Sequence, residues 1–317
     1  MPATATSTAL PATRSHSLLG DYVVLVKPRV SVMVIITAAA GFYLGSLRSG
    51  ISPFHIGLVE ALFGIALVTA GSSVLNQAIE RRTDRLMPRT ASRPMAQQRV
   101  GFAHGLVLGF LLVFGGSLYL AWMTNPITGL LTLLTAVAYV GVYTPLKRIT
   151  TLNTFIGAFP GALPPLIGWT AARGLIEWPG VALFAILFVW QFPHFMAIGW
   201  MYRADYAQAG IRVTATQEPT KWAARSSVIQ SLFYAVIMIP VSLWPTWLHT
   251  TGVPYAVVAS LLGVWYLVAT VRFARILKNP DDPENRADAR NLLKVSVMYL
   301  PLLMAALMLN AQGKFHF

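Results

Sequence analysis

Nine stretches of the chain are apolar for long enough to cross a bilayer: about 30–47, 56–79, 101–121, 127–145, 152–172, 179–200, 226–247, 254–277 and 291–309. A helix needs about 20 apolar residues to cross the hydrocarbon, and inside lipid every backbone polar group must be satisfied within the segment. The pattern therefore predicts an all-α polytopic membrane protein with nine transmembrane helices. Charged residues gather in the connections, mostly in alternate ones. The first twenty residues, MPATATSTALPATRSHSLLG, lack the apolar core behind a basic start that marks a signal peptide. They are poor in arginine for a mitochondrial presequence. They read as a disordered cytoplasmic tail, 1–20, which leaves 21–317 as a single transmembrane domain.

Composition excludes the soluble alternatives. Of the 317 residues 56% are apolar and only 11% are charged, whereas a soluble domain is about 25% charged. The chain has no cysteine, which removes disulfide frameworks, iron–sulfur clusters and thiolate metal sites. A net charge of +13 would suggest nucleic acid in a soluble protein, but its distribution suggests topology instead. With the N-terminus in the cytoplasm, the inside segments hold 21 of the 24 Lys and Arg residues, and the outside segments only Arg48, Arg173 and Lys314. Basic residues resist translocation, so this split predicts N-terminus in and C-terminus out. It gives no ground for a nucleic-acid partner.

The second span runs into GSSVLNQAIERRTDRLMPRTASRPMAQQR. Asn76, Glu80 and Asp84 are four residues apart, and each step of four advances only about 40° around a helix, so the three share one stripe. An amide and two carboxylates offer hard oxygen ligands suited to Mg²⁺, which is commonly held by carboxylates together with substrate phosphates. Arg81, Arg82, Arg85, Arg89 and Arg93 beside them supply donors that match phosphate oxygens. Arginines alone would be explained by topology. Acids do not orient spans and are costly near hydrocarbon, so their alignment at a span end points to a magnesium diphosphate site.

These residues resemble the first aspartate-rich motif, NxxxDxxxD, of the UbiA superfamily of intramembrane prenyltransferases, with Glu80 in place of the middle aspartate. The continuation DRLMPRTASRP resembles the signature of one branch, the haem O synthases. Two later segments extend the likeness. YVGVYTPLKRITTLN fits the superfamily pattern Y-T-x-x-K-R-x-T, which implies that Tyr143, Lys147 and Arg148 join Arg85, Arg89 and Arg93 in holding the diphosphate. WQFPHFMAIGWMYRADYAQAG stands where most of the superfamily carries a second aspartate-rich motif, and it resembles the haem O synthase version of that region.

In that third segment His194 lies in an apolar run near a span end, where a polar ring needs a partner. Asp205 follows eleven residues later, close to three helical turns, a spacing that predicts both on one helix face. Iron ligation, a hydrogen bond to a haem propionate and proton acceptance are three open roles for His194. Trp190 and Gln191 adjoin it, and with Asp205 and Tyr206 they form the haem-binding set that the resemblance implies. The fifth span, with Gly157, Pro160, Gly161, Pro164, Pro165 and Gly168, is expected to bend beside the substrate cavity. Gly157 and Gly161 form a small-xxx-small pair that permits close helix approach.

The resemblance implies nine helices in a UbiA-like bundle around a central cavity that opens near the cytoplasmic face. It also implies a Mg²⁺-dependent transfer of the farnesyl group of farnesyl diphosphate to a vinyl group of protohaem IX, giving haem O. Haem is then substrate rather than cofactor, and the product feeds a downstream haem-modifying membrane enzyme or an oxidase assembly. A bacterial inner membrane is the expected location. Two alternatives are a relative that prenylates a quinone precursor and a transporter for an anionic solute. The first would carry aspartates where His194 stands, and the second would place its charges near the bilayer midplane.

Overall fold

The computed structural model describes residues 17–282 and 285–312. Nine helices among the described residues are long and apolar enough to cross a membrane. A short helix precedes them: α1, Leu18–Leu25, is capped by Ser17, whose hydroxyl accepts from the Gly20 amide. Of the tail expected over 1–20, residues 1–16 lie outside the described residues, and residues 17–20 cap and open α1 instead.

The spans are α2 (Pro28–Arg48), α3 (Ile56–Asp84), α4 (Phe102–Met123), α5 (Pro126–Leu146), α6 (Asn153–Arg173) and α7 (Trp178–Met201). The short α8 (Arg203–Gln208) follows, then α9 (Thr220–Trp247), α10 (Val253–Leu277) and α11 (Asn285–Leu309). All nine expected spans are present. Several ends lie a few residues from the expected positions, because helical hydrogen bonding continues into polar flanks where hydropathy has already fallen. In α3 the helix runs on through Asp84, which gives Asn76, Glu80 and Asp84 one continuous scaffold.

Several apolar clusters among the described residues hold the bundle together. The largest joins α7, α9, α10 and α11 and buries Trp169, Tyr255, Tyr266 and Tyr299. In the other half α3 packs on α4 and α5 through Val68, Leu75, Val113 and Ala136. The reverse faces expose Phe110, Leu111, Leu118, Trp122 and Leu261. Such a surface is costly in water and suits lipid tails, which are as apolar as the side chains themselves.

Glycines let α2 and α6 approach closely. A Cβ at Gly41 would lie 1.9 Å from the Pro165 carbonyl oxygen, and one at Gly168 would lie 1.8 Å from that of Ala38. Helices α2 and α6 therefore meet backbone to backbone at two adjacent points. Gly157 and Gly161, expected to serve this purpose, instead make room for side chains: Tyr143 occupies the space beside Gly157, and the Gln191 amide the space beside Gly161. Span α6 is interrupted at Leu163, between Asn153–Ala162 and Pro164–Arg173, because Pro164 and Pro165 have no N–H to donate to the preceding turn.

Span α5 also departs from regular geometry. Ala138–Tyr143 form a π-helical turn just before Pro145, which lacks the N–H that would bond back along the helix. The wider turn sets Tyr139 and Tyr143 on one side, 5.7 Å apart.

Candidate active site

The stripe predicted on α3 exists, and a cation is bound at each of its three positions. The Lys27 ammonium donates to Asn76 Oδ1 at 2.5 Å. Lys147 Nζ donates to Glu80 Oε1 at 2.7 Å. Arg93 Nη1 lies 2.8 and 2.9 Å from the two oxygens of Asp84. Asn76 and Asp84 are fully buried, so each cation supplies the compensation that a buried charge or amide requires. Asn76 also donates to the Thr144 hydroxyl at 3.1 Å, which links the stripe to the end of α5.

Each cation is brought in by a different part of the chain. Lys27 stands in the left-handed region, with φ at 48°, just before Pro28 opens α2. Burial lowers its pKa to about 7, and the Arg93 guanidinium pushes in the same direction. Lys147 follows the π-helical turn, and its ammonium sits 4.5 Å from the centre of the Tyr143 ring. Burial opposes its charge, but Tyr143 and Glu80 hold its pKa well above the ordinary lysine value. The Lys147 loop is stitched in place from the far side. The Arg212 amide donates to the Lys147 carbonyl at 2.7 Å, and the Asn153 amide group donates to the carbonyls of Thr150 and Arg212.

Arg93 arrives on the connection between α3 and α4, which folds back over the helix end. There the Arg85 side chain donates to the Ala96 carbonyl, the Thr90 hydroxyl to the Asp84 carbonyl, and Arg99 to both oxygens of Asp21 on α1. Arg89 reaches the other way. Its guanidinium donates to the Tyr206 hydroxyl at 3.3 Å and lies 5.0 Å from the centre of the Tyr202 ring. Met87, Ala209 and Ile211 form an apolar contact between the same two connections.

The structure thus gathers Asn76, Glu80, Asp84, Arg89, Arg93, Tyr143, Lys147 and Tyr206 around one set of helix ends. An open cleft of about 460 Å³ beside them is lined by Glu80, Thr83, Thr144, Lys147, Arg148 and Ile211. Arg148 is exposed at its rim. Arg85, expected on the diphosphate, spends its Nε donor on the backbone of its own connection. Lys27 and Thr144 belong to the cluster and escaped the sequence reading. A lysine directly before the proline that opens the first span was the available signal, but it read as topology.

The third segment divides. His194 Nδ1 and the Ser296 hydroxyl on α11 are 2.8 Å apart. The Trp190 ring stacks on the His194 ring with centroids 4.8 Å apart, and the Trp190 Nε1 donates to the Ser296 carbonyl at 2.8 Å. Gln191 faces elsewhere, donating to the carbonyls of Ala158 and Leu187 at 3.1 Å, so it braces α7 against α6. The common face predicted for His194 and Asp205 does not form. Helix α7 ends at Met201, Tyr202 leaves helical geometry at φ −117°, ψ 24°, and Asp205 and Tyr206 sit on the separate α8. An eleven-residue phase holds only along one unbroken helix.

A magnesium ion fits the α3 stripe by its donor chemistry. The set offers one amide and two carboxylate oxygens, all hard donors, and each already stands opposite positive charge. No group of three or more His, Cys, Asp or Glu residues among the described residues could hold a metal by itself, so a cation here depends on Asn76 and on oxygens brought by a ligand.

Comparison with known proteins gives one consistent result. The model of the UbiA prenyltransferase family matches residues 34–309. The protoheme IX farnesyltransferase of Koribacter versatilis is 43% identical over 302 residues, covering 95% of this chain and 96% of its own length. That of Anaeromyxobacter sp. is 37% identical and covers 98% and 99%. Among solved structures, one of digeranylgeranylglyceryl phosphate synthase superposes with a TM-score of 0.72 at 16% identity, covering 92% of this chain and 98% of that one. A UbiA homologue from Archaeoglobus fulgidus bound to DMAPP and Mg²⁺ gives 0.60 at 15% identity, covering 90% and 99%. At such identities the structures speak for the fold alone.

Proposed function

The chain belongs to the UbiA prenyltransferase family, within it to the branch of the protoheme IX farnesyltransferases, and from that premise we propose a residue-level account of farnesyl transfer to haem. The enzyme joins the farnesyl group of farnesyl diphosphate to a vinyl group of protohaem IX and makes haem O. The C1–O bond of the donor breaks and its electron pair leaves with the diphosphate. A C–C bond forms from farnesyl C1 to the terminal vinyl carbon. Water adds to the vinyl carbon next to the porphyrin and loses a proton, which leaves a hydroxyethylfarnesyl group.

The observation that carries this account is the triple pairing on α3: Lys27 with Asn76, Lys147 with Glu80, and Arg93 with Asp84. A diphosphate entering with a divalent cation would exchange partners with these pairs. Asn76, Glu80 and Asp84 would hold Mg²⁺, which when bound neutralises charge on the leaving group. Lys27, Lys147, Arg93, Arg89 and Arg148 would turn to the phosphate oxygens. Cations already fixed where negative charge accumulates cost no reorganisation when the bond breaks. Tyr139 and Tyr143 put aromatic surface beside the same point, suited to an allylic cation that water would destroy. Below, the apolar spans would accommodate the isoprenoid chain in a central cavity.

His194 and Trp190 would face the haem at the α7–α11 contact. Residues from 21 onward form one catalytic unit in a bacterial inner membrane, N-terminus in and C-terminus out. The product would pass to a haem-modifying membrane enzyme or an oxidase assembly. The clustering of charge at one set of helix ends argues against a transporter.

The test is incubation of purified membranes with Mg²⁺, farnesyl diphosphate and haem. Diphosphate release together with a haem heavier by one farnesyl group and one hydroxyl group supports the assignment. No haem product alongside prenylated 4-hydroxybenzoate overturns the acceptor.

A further inference from the structure

The hydrogen bonds around His194 bear on which of its ring nitrogens carries the proton. Ser296 Oγ lies 2.8 Å from His194 Nδ1 and 2.7 Å from the Leu293 carbonyl oxygen, one turn earlier on α11. A hydroxyl has a single hydrogen, and a carbonyl oxygen only accepts. With that hydrogen on Leu293, the shorter of the two contacts, the Ser296 oxygen presents a lone pair to the imidazole. Nδ1 is then the donor, and in a neutral imidazole that leaves Nε2 with a lone pair.

The surroundings hold this arrangement rigidly. Ser296 is fully buried. Its carbonyl accepts from Trp190, whose ring stacks on His194. The Trp190 carbonyl in turn accepts from the Tyr266 hydroxyl at 2.9 Å, and Tyr266 stacks on Tyr299 with centroids 4.9 Å apart. Residue 296 therefore fixes the histidine through its side chain and the stacked tryptophan through its main chain. Among the described residues no hydrogen-bond partner stands at Nε2.

We propose that Ser296 is a positioning residue that locks His194 in the Nδ1–H form, so that Nε2 meets the haem as an electron-pair donor. An imidazole in this form has no hydrogen to give at Nε2, so of the three roles open to His194 it cannot donate to a propionate. Ligation of the haem iron and acceptance of a proton remain, and both use the same lone pair. Histidines that bind metals carry this kind of supporting partner on the other nitrogen, and its loss typically lowers affinity or activity about 10- to 100-fold.

The inference rests on the assignment of haem as acceptor, and its test is independent of turnover. In the full-length protein labelled with ¹⁵N-histidine, His194 is identified as the signal missing from His194→Gln. Its Nδ1 should be protonated and its Nε2 not. Ser296→Ala should abolish that preference, and Ser296→Thr, which keeps a hydroxyl, should retain it. Haem turnover should fall about tenfold in Ser296→Ala, with the KM for farnesyl diphosphate unchanged, and should recover in Ser296→Thr. A wild-type His194 protonated at Nε2 overturns the proposal, as does an unchanged tautomer in Ser296→Ala. If Ser296→Ala does not fold, the wild-type and Ser296→Thr spectra still decide it. A tautomer lost in Ser296→Ala in a protein that never prenylates haem would leave the positioning role standing and remove the assigned acceptor.

Discussion

Lys147 Nζ is 2.7 Å from Glu80 Oε1 and 4.5 Å from the centre of the Tyr143 ring. Both residues keep only a small exposed fraction, 17% and 14% of their side chains. The pair engages one carboxylate oxygen and one ammonium hydrogen, so Glu80 and Lys147 each keep further sites for a metal or a phosphate. In the proposed account, entry of a metal diphosphate would engage both at once, the metal at the carboxylate and the phosphate at the ammonium.

Replacing Lys147 should therefore weaken donor binding more than it weakens metal dependence. A hydrogen bond to a charged group contributes about 1.5–3 kcal/mol, so Lys147→Met should raise the KM for farnesyl diphosphate about 10- to 100-fold. Lys147→Arg keeps the charge and should recover part of the loss. Steady-state kinetics at several Mg²⁺ concentrations checks this, and an unchanged KM would show that the pair only braces the helix ends.

The Asp84–Arg93 pair separates activity from stability. Asp84 is almost entirely buried, at 1% side-chain exposure, and Arg93 is 23% exposed. Asp84→Asn should remove most of the Mg²⁺-dependent turnover, whereas near-normal turnover and magnesium dependence would mean that the aligned acids are structural. Arg93→Ala should strand a buried carboxylate, at a cost of about 3–5 kcal/mol. Thermal unfolding in detergent reads that cost directly.

The stripe of Asn76, Glu80 and Asp84 was legible because it lies on one helix, where spacing fixes direction. The orienting signal of the basic residues was equally clear, but it hid Lys27 among residues that topology already explained. Two features fell outside local periodicity. The break at Tyr202 separates Asp205 from His194, and nothing in WMYRADY forbids a continuing helix. Ser296 lies about 100 residues beyond His194 in an ordinary span, so only the packing of α11 on α7 brings the two together. The helix contact at Gly168 and Gly41 is of the same kind: the glycines were visible, but not their partners.

On the opposite side of the bundle, Glu177 accepts from Arg173 at 2.7 and 3.0 Å and from the Trp169 indole at 3.0 Å. These contacts tie the end of α6 to the start of α7. The hydrogen bond from Arg173 holds the Glu177 carboxyl below its ordinary pKa of 4.5, against the opposing effect of burial. A group with a depressed folded-state pKa contributes stability above its unfolded pKa and loses it as the pH falls through the folded value. The melting temperature should thus decline as the pH drops below about 4.5. Glu177→Gln should melt lower at neutral pH and lack that part of the decline, and parallel pH profiles for the two proteins would contradict it.

Backbone contact between α2 and α6 predicts a sharp intolerance. A methyl group at Gly168 would overlap the Ala38 carbonyl, whereas a Cβ at Gly115 meets nothing within 4 Å. Overpacking a tight interior costs about 1–3 kcal/mol when side chains can give way, and here the obstacle is backbone, so Gly168→Ala should lie at or above that range. Gly115→Ala should be neutral. Comparing the melting temperatures of the two variants tests the contact, and equal values would mean that the helices separate easily.

His194→Ala should distinguish the acceptor from the donor side of the reaction. The residue reaches Ser296 and Trp190 at the α7–α11 contact, whereas Asn76, Glu80 and Asp84 on α3 take their cations from Lys27, Lys147 and Arg93. Among the described residues no hydrogen bond joins the two groups, so removing the imidazole should leave the cations on α3 in place. Haem turnover should fall by at least tenfold, because the loss of an iron ligand or proton acceptor costs at least as much as the loss of its supporting partner. Farnesyl diphosphate affinity, measured by titration with Mg²⁺ in the absence of haem, should stay within about twofold. If affinity and turnover fall together, His194 supports the whole site rather than the haem, and the division into a diphosphate cluster on α3 and a haem cluster on α7 and α11 is wrong.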